Sequence, residues 1–129
     1  LRSREGDEFA IEWEWSGVWG KANELEKLRS LRKIWKKEPR CAVLITYTHT
    51  QNIDKVYAHV TEKWADAKCP LLLILIDLEE SGDFYSGKKF KNIQMSLFDK
   101  SGRREPELLH IAPAFPWEVT GTRWFAEQE

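Results

Sequence analysis

Between residues 8 and 15 the chain alternates in character. Phe9, Ile11, Trp13 and Trp15 fall on one side, and Glu8, Ala10, Glu12 and Glu14 on the other, which is the period-two signature of a strand. The two tryptophans assign the first side to the core and leave the carboxylates facing away from it. Gly6-Asp7 fits a two-residue hairpin turn, with residues 1–5 as the end of a preceding strand that begins upstream. Gly17 and Gly20 then interrupt the pattern. From 21 to 37 the period lengthens. Ala22, Leu25, Leu28, Leu31 and Trp35 recur at helical spacing, Arg29, Lys33, Lys36 and Lys37 lie opposite, and Pro39 stops the helix. Residues 42–47 are continuously apolar, as in a strand buried on both faces. Asn52 is placed to cap a second helix over 53–68, with Ile53, Val56, Tyr57, Val60 and Trp64 as its core stripe. Residues 71–78 form a second apolar strand that ends in acids from Asp77. A polar loop over 81–92, strands at 92–98 and 107–111 joined through 99–102, and a short strand at 119–125 complete the reading.

The order is strand, helix, strand, helix, strand, hairpin. Parallel pairs need crossovers, and helices of this length supply them. The expected fold is α/β, a three-layer sandwich around a mixed central sheet, with a β-α-β-α-β core and a C-terminal hairpin. With 129 residues, 42% hydrophobic and 32% charged, the composition fits one globular domain over 1–129. Its core would span 8–78, and 79–129 would supply the loop, hairpin and tail, with the N-terminus expected to be truncated. The longest apolar run, 71–76, is too short to cross a membrane, and no basic start leads into an apolar segment. Cys41 and Cys69 stand 28 residues apart without a CxxC partner, which argues against a disulfide framework or a zinc knuckle. A cytoplasmic or other reducing intracellular setting is expected.

Charge is segregated along the chain. Residues 21–40 carry eight basic side chains against three acids, and 87–104 carry six against one, whereas 1–15 carry five acids against two bases. Two basic segments can attract a polyanion and an acidic cluster can hold a cation, although basic runs are most often solvated surface.

The most informative stretch is Ile11-Glu12-Trp13-Glu14-Trp15. Carboxylates at i and i+2 on a strand point the same way, roughly 6.5–7 Å apart. A pair so placed can share a hard divalent cation, Mg²⁺, Mn²⁺ or Ca²⁺, or simply line a solvent face. This strand, followed by a basic helix, a buried strand, a helix and another buried strand, resembles the PD-(D/E)XK, or restriction-endonuclease-like, nuclease superfamily over residues 8–78. Glu12-Trp13-Glu14 is similar to that family's (D/E)-x-K motif with Glu in place of Lys, the form found in some type II restriction endonucleases. The resemblance implies a restriction-endonuclease-like fold and a Mg²⁺- or Mn²⁺-dependent endonuclease. Glu12 would be a metal-binding acid, and Glu14 would bind metal and orient or deprotonate the attacking water. Asp7 would be the first-motif acid, although the family usually leaves a longer interval. Lys21 would be the relocated lysine, and Glu24, one turn on, a further ligand.

The resemblance also implies DNA as partner, with RNA the alternative, held through Arg29, Lys33, Lys36, Lys37, Lys88 and Lys89. No membrane association is expected, and a homodimer or a larger parent protein is compatible with the sequence. Other readings stay open. One is a non-catalytic α/β module that binds nucleic acid or protein through the same basic and tryptophan surfaces. Another is a small-ligand sensor at the strand ends near residues 46–51. His49, His59 and His110 form no pair with metal-ligand spacing, and Asp77 is a strand-end acid. No Gly-x-Gly-x-x-Gly, Walker A or nucleophile-elbow motif occurs.

Overall fold

A computed structural model describes the backbone of residues 2–3, 6–7, 9–14, 24–30, 38–80 and 88–113, and the side chains of 9–14, 24–30, 38–78 and 91–105. A small antiparallel pair, β1 (Arg2–Ser3) and β2 (Gly6–Asp7), precedes the main sheet, with Arg2 opposite Asp7 and Ser3 opposite Gly6. Gly6 and Asp7 therefore lie in a strand and not in the expected turn. The chain continues through β3 (Phe9–Glu14), α1 (Glu24–Ser30), β4 (Cys41–His49), a 3₁₀ turn (Thr50–Asn52), α2 (Ile53–Trp64), β5 (Leu71–Glu80), β6 (Lys88–Phe98) and β7 (Arg104–Pro113). Strand β6 begins inside the stretch expected to be loop. The candidate strand at 119–125 and the flanks of α1, 21–23 and 31–37, lie outside the described residues.

The five main strands lie in chain order, β3-β4-β5-β6-β7. The pairs β3–β4 and β4–β5 are parallel, and β5–β6 and β6–β7 antiparallel. The expected α/β class, mixed sheet and adjacency of β3 to β4 are all present. Both helices contact β4 and each other. The two crossovers step across the sheet in the same direction, and right-handed crossovers then put both helices on one face. Among the described residues the sheet therefore has a single helical layer, where a three-layer sandwich was expected.

That geometry decides which residues are inside. Ala10, Ala42, Leu44, Leu71, Leu73, Leu75 and Phe98 come from alternate strand positions facing the helices. They pack with Leu25 and Leu28 of α1 and Val56, Val60 and Trp64 of α2, with Ile53 and Tyr57 at the margin. The stripe expected on α2 is thus its packed face. On the other side, Leu72, Ile74 and Ile76 are only half-buried, so β5 is fully covered on one face rather than two. The main reversal is in β3. Phe9, Ile11 and Trp13 are 38%, 50% and 48% exposed, whereas Ala10 and Glu14 are buried. The tryptophan-bearing side of the strand is the outer one, and its acids face the helical layer.

The C-terminal end of α2 is a meeting point. The Trp64 indole donates to the Cys69 carbonyl at 2.9 Å, the Ala67 amide to the Trp64 carbonyl at 3.1 Å, and Arg29 to the Ala65 carbonyl at 3.1 Å. The last two of these donors satisfy the Trp64 and Ala65 carbonyls that the helix end leaves unpaired, and the first ties the helix to the segment that leads into β5. At the other end Asn52 makes no side-chain capping bond, contrary to expectation. The β6–β7 turn is held by Asp99, whose carboxylate accepts from the Ser101 hydroxyl and the Ser101 and Arg103 amides. The Ser101 hydrogen bond, with smaller help from the amides, holds the Asp99 carboxyl below its ordinary value. No helix among the described residues is long and apolar enough to cross a membrane.

Gly102 fits this turn against α2 in a left-handed conformation, φ 80°, and an added Cβ would come 2.3 Å from the Thr61 carbonyl oxygen. Gly102→Ala is expected to destabilise the fold by about 1–3 kcal/mol from the backbone conformation alone, with the steric clash adding to it. A lowered denaturant midpoint at unchanged m-value is the readout. An unchanged midpoint would mean that the turn does not pack on the helix.

Candidate functional site

The parallel strands β3, β4 and β5 run side by side, and their C-terminal ends carry polar residues on the helix-facing side. Ligands gather at such ends in open α/β sheets. Two clusters form there.

The first lies between β3 and α1. The 3.6-residue period puts Glu24 on the same side of α1 as Leu25 and Leu28, and all three are buried. Glu24 is only 7% exposed. Its Oε1 accepts from the Lys27 ammonium at 2.6 Å across one helical turn. Its Oε2 is buried and receives no N–H or hydroxyl donor. A second acid, the half-buried Glu12 of β3, lies near enough to Glu24 for the two carboxyl groups to influence one another. Like charges so placed favour the protonated form of one of them. Partial burial first, and the Glu24 carboxyl second, push the Glu12 pKa above its ordinary value, while Lys27 pulls it down. The hydrogen bond to Glu24 is the main influence raising Lys27, and the charges of Glu24, Glu12 and Glu14 add to it.

Glu14, two residues along β3, is buried on the same side and lies within reach of the Lys27 charge. Its backbone is tied to β4 by the Thr46 hydroxyl, which donates to the Glu14 carbonyl at 3.2 Å. The i, i+2 pair therefore does share a face, and Glu24 joins Glu12 from the helix. No group of three or more His, Cys, Asp or Glu side chains arranged to hold a metal ion is present among the described residues. The neighbouring carboxyl groups of Glu12 and Glu24 are hard oxygen donors of the kind Mg²⁺ and Mn²⁺ take. The donorless buried Oε2 of Glu24 is consistent with such an occupant.

The second cluster lies at the ends of β4 and β5. Asp77, 1% exposed, accepts from the Thr50 hydroxyl at 2.6 Å, with Thr48 buried beside it and a register shift between Asp77 and Leu78. Nearby, the Tyr57 hydroxyl donates to Gln94 at 2.8 Å and lies 3.0 Å from the Ser96 hydroxyl, and Arg104 sits 4.4 Å over the Tyr57 ring. His49 Nδ1 is buried without a hydrogen-bond partner. Apart from that ring nitrogen, this end is a hydrogen-bonded polar network.

The remaining candidates are dispersed. Asp7 lies in β2, within a separate two-stranded sheet. Lys21, Lys33, Lys36 and Lys37 lie outside the described residues. Arg29, expected on the solvated face, donates to the Ala65 carbonyl and helps fasten α1 to the end of α2. Lys88 and Lys89 belong to β6, opposite Glu80 and Glu79 of β5. His59 lies in α2 and His110 in β7. Lys27 is the side chain that the sequence pattern did not single out. Its signal is the Glu24-x-x-Lys27 spacing, which brings the two side chains together on a helix.

The raised Glu12 pKa has a signed consequence for stability. An acid whose folded value lies above its ordinary value of 4.5 binds its proton more tightly in the folded state. The stabilisation is complete below that ordinary value and is lost as pH rises through the folded value. Glu12→Gln is therefore expected to match the parent in melting temperature near pH 4 and to exceed it near pH 8. A gap of the opposite sign at pH 8 would show that ionised Glu12 is a net stabiliser. No family model, curated protein or solved structure matches this chain.

Proposed function

We propose that the domain is a divalent-metal-dependent, nuclease-like module that binds DNA and hydrolyses its phosphodiester bonds, in a restriction-endonuclease-like arrangement. The observation that carries this reading is the buried Glu24, with one unpartnered carboxyl oxygen, packed beside the strand that bears Glu12 and Glu14, in a strand-and-helix unit that follows the superfamily's order. Glu12 and Glu24 would hold Mg²⁺ or Mn²⁺, with Glu14 beside them. The ion would supply a more acidic bound water and stabilise charge developing on the phosphate oxygens. Glu14, fixed through its backbone to β4, would orient the attacking water. Among the described residues Lys27 is a lysine near these acids, and the expected Lys21 lies outside them. Phosphates would be held by the basic positions 33, 36 and 37, with Arg29 spent mainly on packing.

Glu12→Gln is expected to remove calorimetric Mn²⁺ binding and plasmid cleavage together while leaving the far-UV spectrum unchanged. Glu14→Gln should keep more metal affinity than it keeps turnover, and Glu14→Lys should retain more cleavage than Glu14→Gln. Equal, negligible Mn²⁺ heats in the parent and the Glu12 variant would remove the enzyme reading. DNA binding that persists without metal binding or cleavage would leave the non-catalytic module.

Binding itself has a separate signature. Charge reversal at Lys33 and Lys36 should weaken DNA binding uniformly across sequences, and the log–log salt slope should fall by about one for each phosphate no longer neutralised. An unchanged slope would return these lysines to ordinary solvated surface.

A further inference from the structure

Period two sends alternate side chains of a strand to the same side of its sheet. On the side away from the helices these are alternate positions over 9–13 of β3, 43–47 of β4, 72–76 of β5 and 93–97 of β6, and every one is apolar or aromatic. None is charged, in a chain that is 32% charged overall. The exposed large hydrophobic side chains among the described residues, Phe9, Ile11 and Trp13, all belong to this face. The surface is most open on β3, where Ile11 and Trp13 are about half exposed, and closes toward β4, where Val43 is buried. Isolated apolar side chains on a surface need no explanation, but a continuous patch marks a place where something docks.

We propose that this outer face is where two copies of the chain associate, about a two-fold axis that passes near Ile11 and Trp13. The area is sufficient. At about 200 Å² for a large side chain, Phe9, Ile11 and Trp13 leave about 300 Å² in water, and the half-buried rows of β4, β5 and β6 bring the patch to roughly 600 Å². Two such patches closed on one another remove roughly 1,200 Å², the lower end of what specific interfaces bury. The chemistry selects the same partner. An uncharged face has no cation among these positions to hold a polyanion, and its best complement is a second uncharged face. A two-fold axis makes the patch its own complement. The shape agrees, because two sheets twisted in the same hand stack at about −30° with their side chains interdigitated. The facing of β3 then has a physical reason. The aromatic side that one chain leaves in water is buried by the second chain, and the acids are left on the other side of the strand. Ile11 and Trp13, nearest the axis, carry most of the affinity.

Sedimentation equilibrium of the full chain tests this. The average mass is expected to rise from one chain to two as concentration is raised through the micromolar range. Ile11→Lys and Trp13→Lys should each weaken self-association by about tenfold or more, with far-UV spectra like the parent's, since both side chains are already half in water. Lys55→Glu, on the exposed side of α2, should leave it unchanged. Met95, the one methionine of the chain, lies on the outer face in β6 and gives a readout that needs no variant. Its oxidation to the sulfoxide by hydrogen peroxide should be severalfold slower at concentrations where the parent is a dimer than at dilutions where it is a monomer.

A parent that stays monomeric throughout overturns the proposal. If its Met95 then resists peroxide at every dilution, the chain's own residues cover the face; if that monomer sediments with phosphatidylcholine vesicles, the face meets lipid. A dimer that survives both lysine substitutions uses another surface and overturns it equally. Should a lysine variant lose its fold, Met95 decides: oxidation at equal rates in monomer and dimer overturns the proposal, and protection in the dimer supports it.

Discussion

The handedness of two crossovers governs most of this structure. Because β3 to β4 and β4 to β5 step the same way across the sheet, right-handed connections place α1 and α2 side by side on one face. From that follow the single packed core, the identity of its strand positions and the inward direction of the β3 acids. It also follows that Glu24 lies near Glu12, since the helix carrying one is laid over the strand carrying the other. The cluster is thus a product of topology and does not arise from the Glu-x-Glu motif alone.

Much of the architecture was legible from residue order. The apolar runs at 42–47 and 71–78, the helical stripe from Ile53 to Trp64 and the hairpin around 99–102 each appear close to where their patterns put them. What the pattern could not supply was a sign. Period two divides β3 into two faces without saying which is inside, and the two tryptophans argued for the wrong one. Burying Trp13 and exposing Glu12 would satisfy the hydrophobic effect locally, yet the observed fold does the reverse. Such conflict between a local preference and the global fold concentrates where a sequence serves something besides stability. The strand with the most unfavourable facing is also the one that bears the candidate chemistry.

The site was legible in part. Glu12 and Glu14 followed from alternation, and Glu24 from its place beside Leu25 and Leu28. The nearness of Glu24 to Glu12 needed the relative placement of strand and helix, which no spacing rule contains. Arg29 shows the converse. Its position opposite the helix stripe marked it as solvated, but the nearby end of α2 offers an unpaired carbonyl that a long guanidinium can reach. The thiols carry little chemistry of their own. Burial raises Cys41 and pushes Cys69 up to about 11, so both remain protonated and weakly nucleophilic at neutral pH.

Strand β3 is joined to the main sheet through one ladder among the described residues, whereas β4 and β5 are each paired on both sides. Sheet margins open more readily than sheet centres, and such excursions need not involve global unfolding. The acids therefore sit on a segment whose protection can be lost while the Leu44–Leu73–Leu75 interior stays closed. Amide protons of residues 9–14 would then exchange through small, frequent openings, and those of β4 and β5 through rare ones, which makes the candidate site and the core kinetically separate parts of one sheet.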